Sequence, residues 1–322
     1  IQDVPDHNQT VQGLYAHYRS AQATLKQTET LQLPTANMTA NRNTGTISST
    51  TSLSTAGLPT GDTYTLGANL SWEIDIWGKI DQQIREQHAL LNVTQADWKA
   101  GILSAQILTG QTYFQLKATL HHIQLMQKIA QEQKRFIQLT EARYHAGIAT
   151  RLDVAQAETQ YHTTQKELLE LQAQYEQQRN ALSTLTGHEN TSLPEPRTQV
   201  NISDTDYPRA NIPYLIPSRA LAQRPDIQSK LAKVIAGNAH LGYTQTAFLP
   251  TLTLSASLNS RHKIWQDLLD TPSMIWSLGP ALALTVFDGG KRSALVEQAQ
   301  ADYEQTVAEY RQTVLTAFEE VE

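Results

Sequence analysis

The strongest constraint on this chain is that most of it is written twice. Sliding the sequence along itself until Gly78-Lys79 falls on Gly290-Lys291 also places Ala89 on Ala301, Thr94 on Thr306, Ala96 on Ala308, Leu103 on Leu315 and Ala105 on Ala317. Trp98 then meets Tyr310, and Lys99 meets Arg311. Upstream, a slightly larger shift places Leu33-Pro34-Thr35 on Leu249-Pro250-Thr251. The change of offset falls in the strand and loop region, where insertions are tolerated. Self-similarity on this scale means one structural unit used twice.

Each unit opens on a helical stretch, residues 15–33 and 218–248, closed by a Leu-Pro that cannot continue a helix. Period-two segments follow. Over 64–76 the apolar set Leu66, Ala68, Leu70, Trp72, Ile74 and Ile76 interleaves with Gly67, Asn69, Ser71, Glu73 and Asp75. Over 251–259, Leu252, Leu254, Ala256 and Leu258 alternate with Thr253, Ser255, Ser257 and Asn259. Over 278–287 the apolar positions are Leu282, Leu284 and Val286, and a weaker alternation runs through Ala36, Met38 and Ala40. These read as four strands in two hairpins, 35–76 and 251–287. Strands of this length suit a tilted membrane strand of about 9–11 residues. Alternation alone also describes a soluble sheet with one wet face. The small, uncharged or acidic polar set and the attachment to very long helices favour a barrel. Four strands cannot close one, since the smallest membrane barrels have about eight. A barrel must therefore be shared between chains.

From 79 to about 144 the pattern is helical without a proline, a run of roughly 100 Å at about 1.5 Å per residue. Ile102, Thr109, Leu116, Ile123, Ala130, Ile137 and Tyr144 recur at heptad spacing, which is a coiled-coil seam. Gly147 interrupts it, and a second helix runs from about 150 to Thr186, with Gly187 placed as a helix C-cap. The chain thus divides into a first unit over 1–187, holding the helical hairpin 79–186, a proline-bearing connector over 188–217, and a second unit over 218–322. From Gly78 to Gly187 the first copy spends about 109 residues, against about 32 after Gly290, so the repeat implies roughly 77 further residues in the natural protein.

Composition removes several function classes. There is no cysteine, which excludes disulfides and thiolate metal sites. A net charge of -6 offers no basic footprint for nucleic acid. The charged fraction of 17% is low, and Gln, Thr, Ser and Asn take its place. No window approaches the roughly 18 consecutive apolar residues of a transmembrane helix. Gly289-Gly-Lys-Arg-Ser293 fails as a phosphate loop, because Thr285 and Arg292 stand where glycine and a hydroxyl are needed. His121 and His122 are adjacent rather than four apart, so they do not form a helical metal pair. Glu319, Glu320 and Glu322 read as a solvated helix face. No catalytic, metal or cofactor site emerges, and the chain reads as no enzyme. Trp72, Trp77, Trp276 and Phe287 read as an interfacial aromatic girdle at or near strand ends.

Five segments carry a resemblance. Ser71-Trp-Glu-Ile-Asp-Ile-Trp-Gly78, Arg224-Pro-Asp-Ile227, Asn238-Ala-His-Leu-Gly242, Ala247-Phe-Leu-Pro250 and Leu284-Thr-Val-Phe-Asp-Gly-Gly290 resemble, in order and spacing, those of outer-membrane efflux proteins, the TolC-like outer-membrane factors. The branch that serves resistance-nodulation-division pumps is the nearest in pattern. The resemblance implies an α+β membrane protein built from two repeats. Three protomers would give four strands each to a 12-stranded barrel in the outer membrane of a Gram-negative bacterium, continued by an α-helical coiled-coil barrel through the periplasm.

The implied function is a passive exit duct that passes drugs or other toxic small molecules from an inner-membrane pump to the outside. The implied partners are two further copies of the chain, a periplasmic adaptor (membrane fusion protein), the pump and outer-membrane lipid, with no nucleic acid. The hairpin tip Gly147, Ile148, Ala149, Thr150, Arg151, Leu152 and Asp153 would meet the adaptor. Leu66, Leu70, Trp72, Ile74, Ile76, Leu252, Leu254, Leu258, Leu282, Leu284 and Val286 would face lipid. Asn69, Ser71, Glu73, Asp75, Thr253, Ser255 and Ser257 would face a wet, mildly acidic lumen that modestly favours cations. Members of this branch usually carry a lipid-modified N-terminal cysteine, which this chain lacks. A duct for protein secretion and, in another class, a soluble coiled-coil scaffold are the alternatives.

Overall fold

A computed structural model of the chain describes residues 4–45, 61–187, 223–262, 264–269 and 274–321. The connector expected over 188–217 lies outside the described residues. The chain forms two compact units, one comprising 1–17 with 96–220 and the other 18–95 with 221–322. No helix among the described residues is long and apolar enough to cross a membrane.

In the second of these units, four strands form one antiparallel sheet in the order β1-β2-β3-β4: β1 Thr35–Gly45, β2 Gly61–Ile74, β3 Thr251–His262 and β4 Met274–Ala283. Both hairpins start the same way. The 3-10 turns Thr30–Gln32 and Thr246–Phe248 precede β1 and β3. Leu33 N–H donates to the Thr30 carbonyl at 3.0 Å, and Leu249 N–H to that of Thr246 at 2.9 Å. Pro34 and Pro250 then force extended backbone on the leucine before them, so each strand opens at the following threonine. The two long helices that follow the hairpins also start alike, after left-handed glycines Gly78 and Gly290.

The strand boundaries differ from the sequence reading in two places. β1 and β2 run on through Gly45 and Gly61, because Arg42, Asn43 and Thr44 pair with Tyr64, Thr63 and Asp62 although neither segment alternates there. β4 covers Met274–Ala283 rather than 278–287. Ala283 pairs with Thr251, the first residue of β3, and Pro250 before it has no N–H to extend the ladder. Leu284 and Val286 therefore follow the strand instead of lying in it. Ile275 breaks the alternation upstream, which hid the true start.

The same unit holds a close helix pair, α5 Pro225–Gln245 and α6 Lys291–Val321. The buried residues of α5 are Ile227, Ser229, Ala232, Ala236 and Ala239, and α6 buries Ala299 and Ala317. Small side chains let the two backbones approach. Lys230 donates to Glu309 at 2.7 Å, and Arg224 pairs with both Asp226 at 2.8 Å and Glu320 at 2.6 Å. The Arg224 guanidinium holds the Asp226 carboxyl below its ordinary range.

In the other unit, α1 Val4–His7 and the first residues of α2 Gln9–Glu29 meet the end of α4 Arg151–Thr186. Asn8 organises the junction. Its Oδ1 accepts from Thr10 and Val11 N–H at 3.0 and 3.1 Å, and its Nδ2 donates to the Leu185 carbonyl at 2.8 Å. The seam expected along α3 Lys79–His145 is buried at Thr109, Leu116 and Ile123. Thr112, Thr119 and Thr140 are buried on the same helix. Thr109 and Thr140 satisfy their hydroxyls on their own helix, donating to the Ala105 and Phe136 carbonyls at 2.7 and 2.9 Å, which is how threonine fits an apolar seam. Tyr144 at its end is exposed, because the seam runs out at the hairpin tip.

Candidate functional site

Residues directly opposite each other in an antiparallel ladder project to the same side, so register decides which side chains share a face. Here it sorts them by polarity. Across the sheet, Ala36, Leu70, Ala256 and Leu278 form one rung, and Met38, Ala68, Leu258 and Trp276 the next. Trp72, Leu254 and Pro280 are opposite one another, as are Ile74, Leu252 and Leu282. The other face carries Thr35, Ser71, Ser255 and Gly279, then Asn37, Asn69, Ser257 and Ser277. Thus Leu66, Leu70, Trp72, Ile74, Leu252, Leu254, Leu258 and Leu282 share one face, and Asn69, Ser71, Glu73, Thr253, Ser255 and Ser257 the other. The Ser257 and Ser277 hydroxyls are 2.8 Å apart across the ladder.

Ile76 and Asp75 lie beyond the end of β2. Asp75 is a helix cap: its Oδ2 accepts from Asp81 N–H at 2.9 Å in the first turn of α3. Glu73 is paired with Lys79 at 2.9 Å. Both carboxylates expected to give the polar face an acidic bias are therefore engaged, one by a cation and one by a helix N-terminus. Trp276 is the third residue of β4, near its start, and two rungs from Trp72 across the sheet. Trp72 and Trp77 do mark the helix-proximal end, their indole N–H groups donating to the Gln32 and Pro250 carbonyls at 2.9 and 2.8 Å.

At the opposite end the sequence reading missed a polar and aromatic group on the apolar face. Arg42 reaches Asp62 at 2.6 Å, Thr44 donates to the same carboxylate at 2.6 Å, and the Arg42 guanidinium lies 5.7 Å from the Tyr64 ring centre. No motif announces this group, because its members come from opposite strands of a hairpin.

The hairpin tip is built by two caps. Gly147 takes a left-handed φ of 73°, and the Ile148 and Ala149 N–H groups turn back to the Arg143 carbonyl at 2.9 and 3.3 Å, which closes α3. Thr150 opens α4 with a capping box: Asp153 N–H donates to Thr150 Oγ1 at 3.3 Å, and Thr150 N–H to Asp153 Oδ2 at 2.7 Å. The paired caps leave Ile148 and Leu152 exposed, at 73% and 66%. The bond from Thr150 N–H, with a second from the Thr150 hydroxyl, holds the Asp153 carboxyl below its ordinary range.

The sign of the pH effect follows. Asp153 contributes fully above the ordinary carboxyl value of about 3.9 and loses its contribution as pH falls through the lower folded value. Thr150→Ala is expected to weaken the first turn of α4 by about 1 kcal/mol and to return the Asp153 pKa toward its ordinary range. A carbon-detected carboxyl titration together with amide exchange at residues 151–154 checks both. An unchanged Asp153 titration would mean that the box does not form in solution.

An open antiparallel sheet with one apolar and one polar face, in a chain that also holds a long helical hairpin, is the α+β fold class of the outer-membrane efflux proteins. The chain belongs to the outer membrane efflux protein family, whose pattern matches residues 1–188 and 216–322. It is 28% identical over 263 residues to the pyoverdine export outer membrane protein OpmQ of Pseudomonas putida, covering 82% of this chain and 55% of that protein. Among solved structures, the CmeC outer membrane channel of Campylobacter jejuni superposes with a TM-score of 0.89 at 27% identity, covering 99% of this chain and 68% of that one. The outer membrane protein VceC of Vibrio cholerae gives a TM-score of 0.83 at 25% identity, with 99% and 75% covered. The chain thus spans about half the length of the curated relative it matches.

Proposed function

We propose that this chain is the protomer of a homotrimeric outer-membrane exit duct. Such a duct passively conducts small molecules delivered by an inner-membrane pump through a periplasmic adaptor. The observation that carries the reading is the register: a four-stranded sheet with one apolar face, one polar face uncharged over its central rungs, and, among the described residues, both edge strands, β1 and β4, unpaired on their outer sides. An edge of this length is a template for another strand. Closure by three copies gives 12 strands. A barrel of that size and a tilt of about 40° is roughly 24 Å across the backbone. That admits hydrated small molecules and not folded domains.

Exposed apolar residues Leu103, Phe114, Leu125 and Phe136 recur along α3 at one constant spacing of about three helical turns, a line suited to helices of neighbouring protomers. In this reading the apolar face meets lipid and the polar face lines the passage. Gly147, Ile148, Ala149, Thr150, Arg151, Leu152 and Asp153 form the adaptor-docking tip. The paired state of Glu73 with Lys79 supports weak charge selectivity near that end of the sheet. Cargo follows the pump. Family relatives named for pyoverdine export, cation efflux and toluene efflux support a small-molecule duct whose substrate is set elsewhere.

Light-scattering mass of the full-length protein with and without detergent tests the reading, followed by planar-bilayer conductance. The expected result is a trimer dispersed only in detergent, with steady ohmic conductance. A monodisperse monomer without detergent would overturn it and favour the soluble scaffold.

A further inference from the structure

The apolar face of the sheet ends abruptly, and the position of that end is informative. From Ile74 to Leu66 on β2, and on the residues paired with them, the face carries Ala36, Met38, Ala40, Ala68, Leu70, Trp72, Leu252, Leu254, Leu258 and Trp276, with no charge. The next rungs bring Tyr64 with Arg42 and His262, then Asp62 with Thr44. The stretch from Tyr64 to Ile74 lies wholly within β2. At about 3.4 Å per residue and a tilt of about 35–45°, it rises roughly 24–28 Å, matching the apolar band of about 25 Å that membrane barrels present.

A short 3-10 turn, Trp265–Leu269, folds against this end. Its partners lie on the apolar side. The Trp265 ring meets Tyr64 edge-on at 6.2 Å, and Asp267 lies 3.7 Å from His262. Leu268 is buried, as is Ser260 on the same side of β3. Yet Ile264 and Trp265 are 55% and 61% exposed. An apolar pair held outward, beside an aromatic ring and next to an internally neutralised Arg42–Asp62 pair, is unfavourable against bulk water and fits a polar–apolar boundary.

We propose that Ile264 and Trp265, seated on Tyr64, form a foot that inserts at the headgroup boundary of the outer lipid leaflet and sets the depth of the sheet in the membrane. The proposal rests on the assignment of the apolar face to lipid. It commits to lipid as the occupant because the foot lies on the apolar side of the sheet, at the end of an apolar band of membrane thickness, with Arg42 paired to Asp62 and Asp267 turned toward His262.

The chain's own tryptophans test it. The full-length trimer is placed in phosphatidylcholine vesicles brominated either near the headgroup or near the chain end. Trp276, in the middle of the apolar face, and Trp265 are read separately, each as the sole tryptophan with the others replaced by phenylalanine. Trp276 is expected to be quenched most by deep bromine, and Trp265 most by shallow bromine. In the otherwise unaltered chain, Trp265→Phe should reduce the shallow-quenched component, leaving the part that comes from Trp72 and Trp77 at the helix-proximal end. Trp265 unquenched while Trp276 is quenched would overturn the foot and leave the barrel standing, whether the indole is found in water or covered by protein. Deep quenching of Trp265 would overturn it equally. If neither tryptophan is quenched, the lipid-facing assignment falls and the foot with it.

Discussion

Leu258→Arg is expected to abolish recovery of the assembled protein in the outer membrane, whereas Ser257→Arg, one residue away, leaves assembly intact. Leu258 lies mid-strand in β3 between Ala68 and Trp276, on the face whose charged side chains Arg42, Asp62 and Asp267 gather at its far end. An arginine at the bilayer midplane of a barrel costs about 2–4 kcal/mol. Threefold symmetry would repeat that cost at three sites, roughly 6–12 kcal/mol per trimer, comparable with the whole stability of an ordinary domain. Ser257 points to the opposite face, between Asn69 and Ser277, where a long cation meets water and polar side chains. Its loss removes the hydroxyl contacts with Ser277 and Asn259 and alters charge selectivity rather than insertion. Oligomer retained on an unheated denaturing gel of the outer-membrane fraction reads both variants. Wild-type assembly of Leu258→Arg would sink the lipid-facing assignment, and the reverse pattern would mean that the two faces are exchanged.

The features legible in the sequence were those with local physical causes. Thr150 and Gly187 bound α4 as expected, because a hydroxyl cap and a left-handed glycine act within one turn. Leu-Pro before Thr35 and Thr251 located both strand starts for the same reason. Period-two alternation sorted Leu70 from Ser71 without knowledge of their partners, since parity along a strand is conserved whatever it pairs with.

The misreadings were non-local. Where β4 begins and ends depends on where β3 begins, so Leu284 and Val286 read as strand residues although no partner remains for them. Asp75 looked like the next member of an alternating set, but the start of α3 claims its carboxylate. Arg42, Asp62 and Tyr64 come together only because β1 and β2 pair beyond the alternating stretch. Trp265 gave no signal at all, for its meaning lies in the side of the sheet onto which a short 3-10 turn folds.

A second large effect is expected at the helical end, where Gly187→Ala should open the junction between α1 and α4. Gly187 caps α4 at φ 68° and ψ 17°, donating its N–H toward the Ser183 and Thr184 carbonyls. An L-residue there pays about 1–2 kcal/mol for the left-handed conformation alone. A Cβ would also run into the His7 carbonyl oxygen and lie 2.8 Å from the His7 carbonyl carbon, a backbone group rather than a flexible side chain. His7 cannot retreat cheaply. It is followed directly by Asn8, whose side chain ties the start of α2 to the Leu185 carbonyl, and Val4 and Val11 beside it are fully buried. Overpacking of such a site adds about 1–3 kcal/mol, for a total of about 2–5 kcal/mol.

Gly147→Ala is the matching control. Its φ of 73° carries the same conformational cost, but nothing lies within 4 Å of the added methyl. Amide exchange at Val11 and at residues 183–186 separates the two substitutions, with fast exchange expected in Gly187→Ala alone. The double variant with Asn8→Ala should be less than additive, because both changes loosen one junction. Equal protection in Gly187→Ala and Gly147→Ala would mean that the His7 backbone yields freely and that only the cap conformation matters at Gly187.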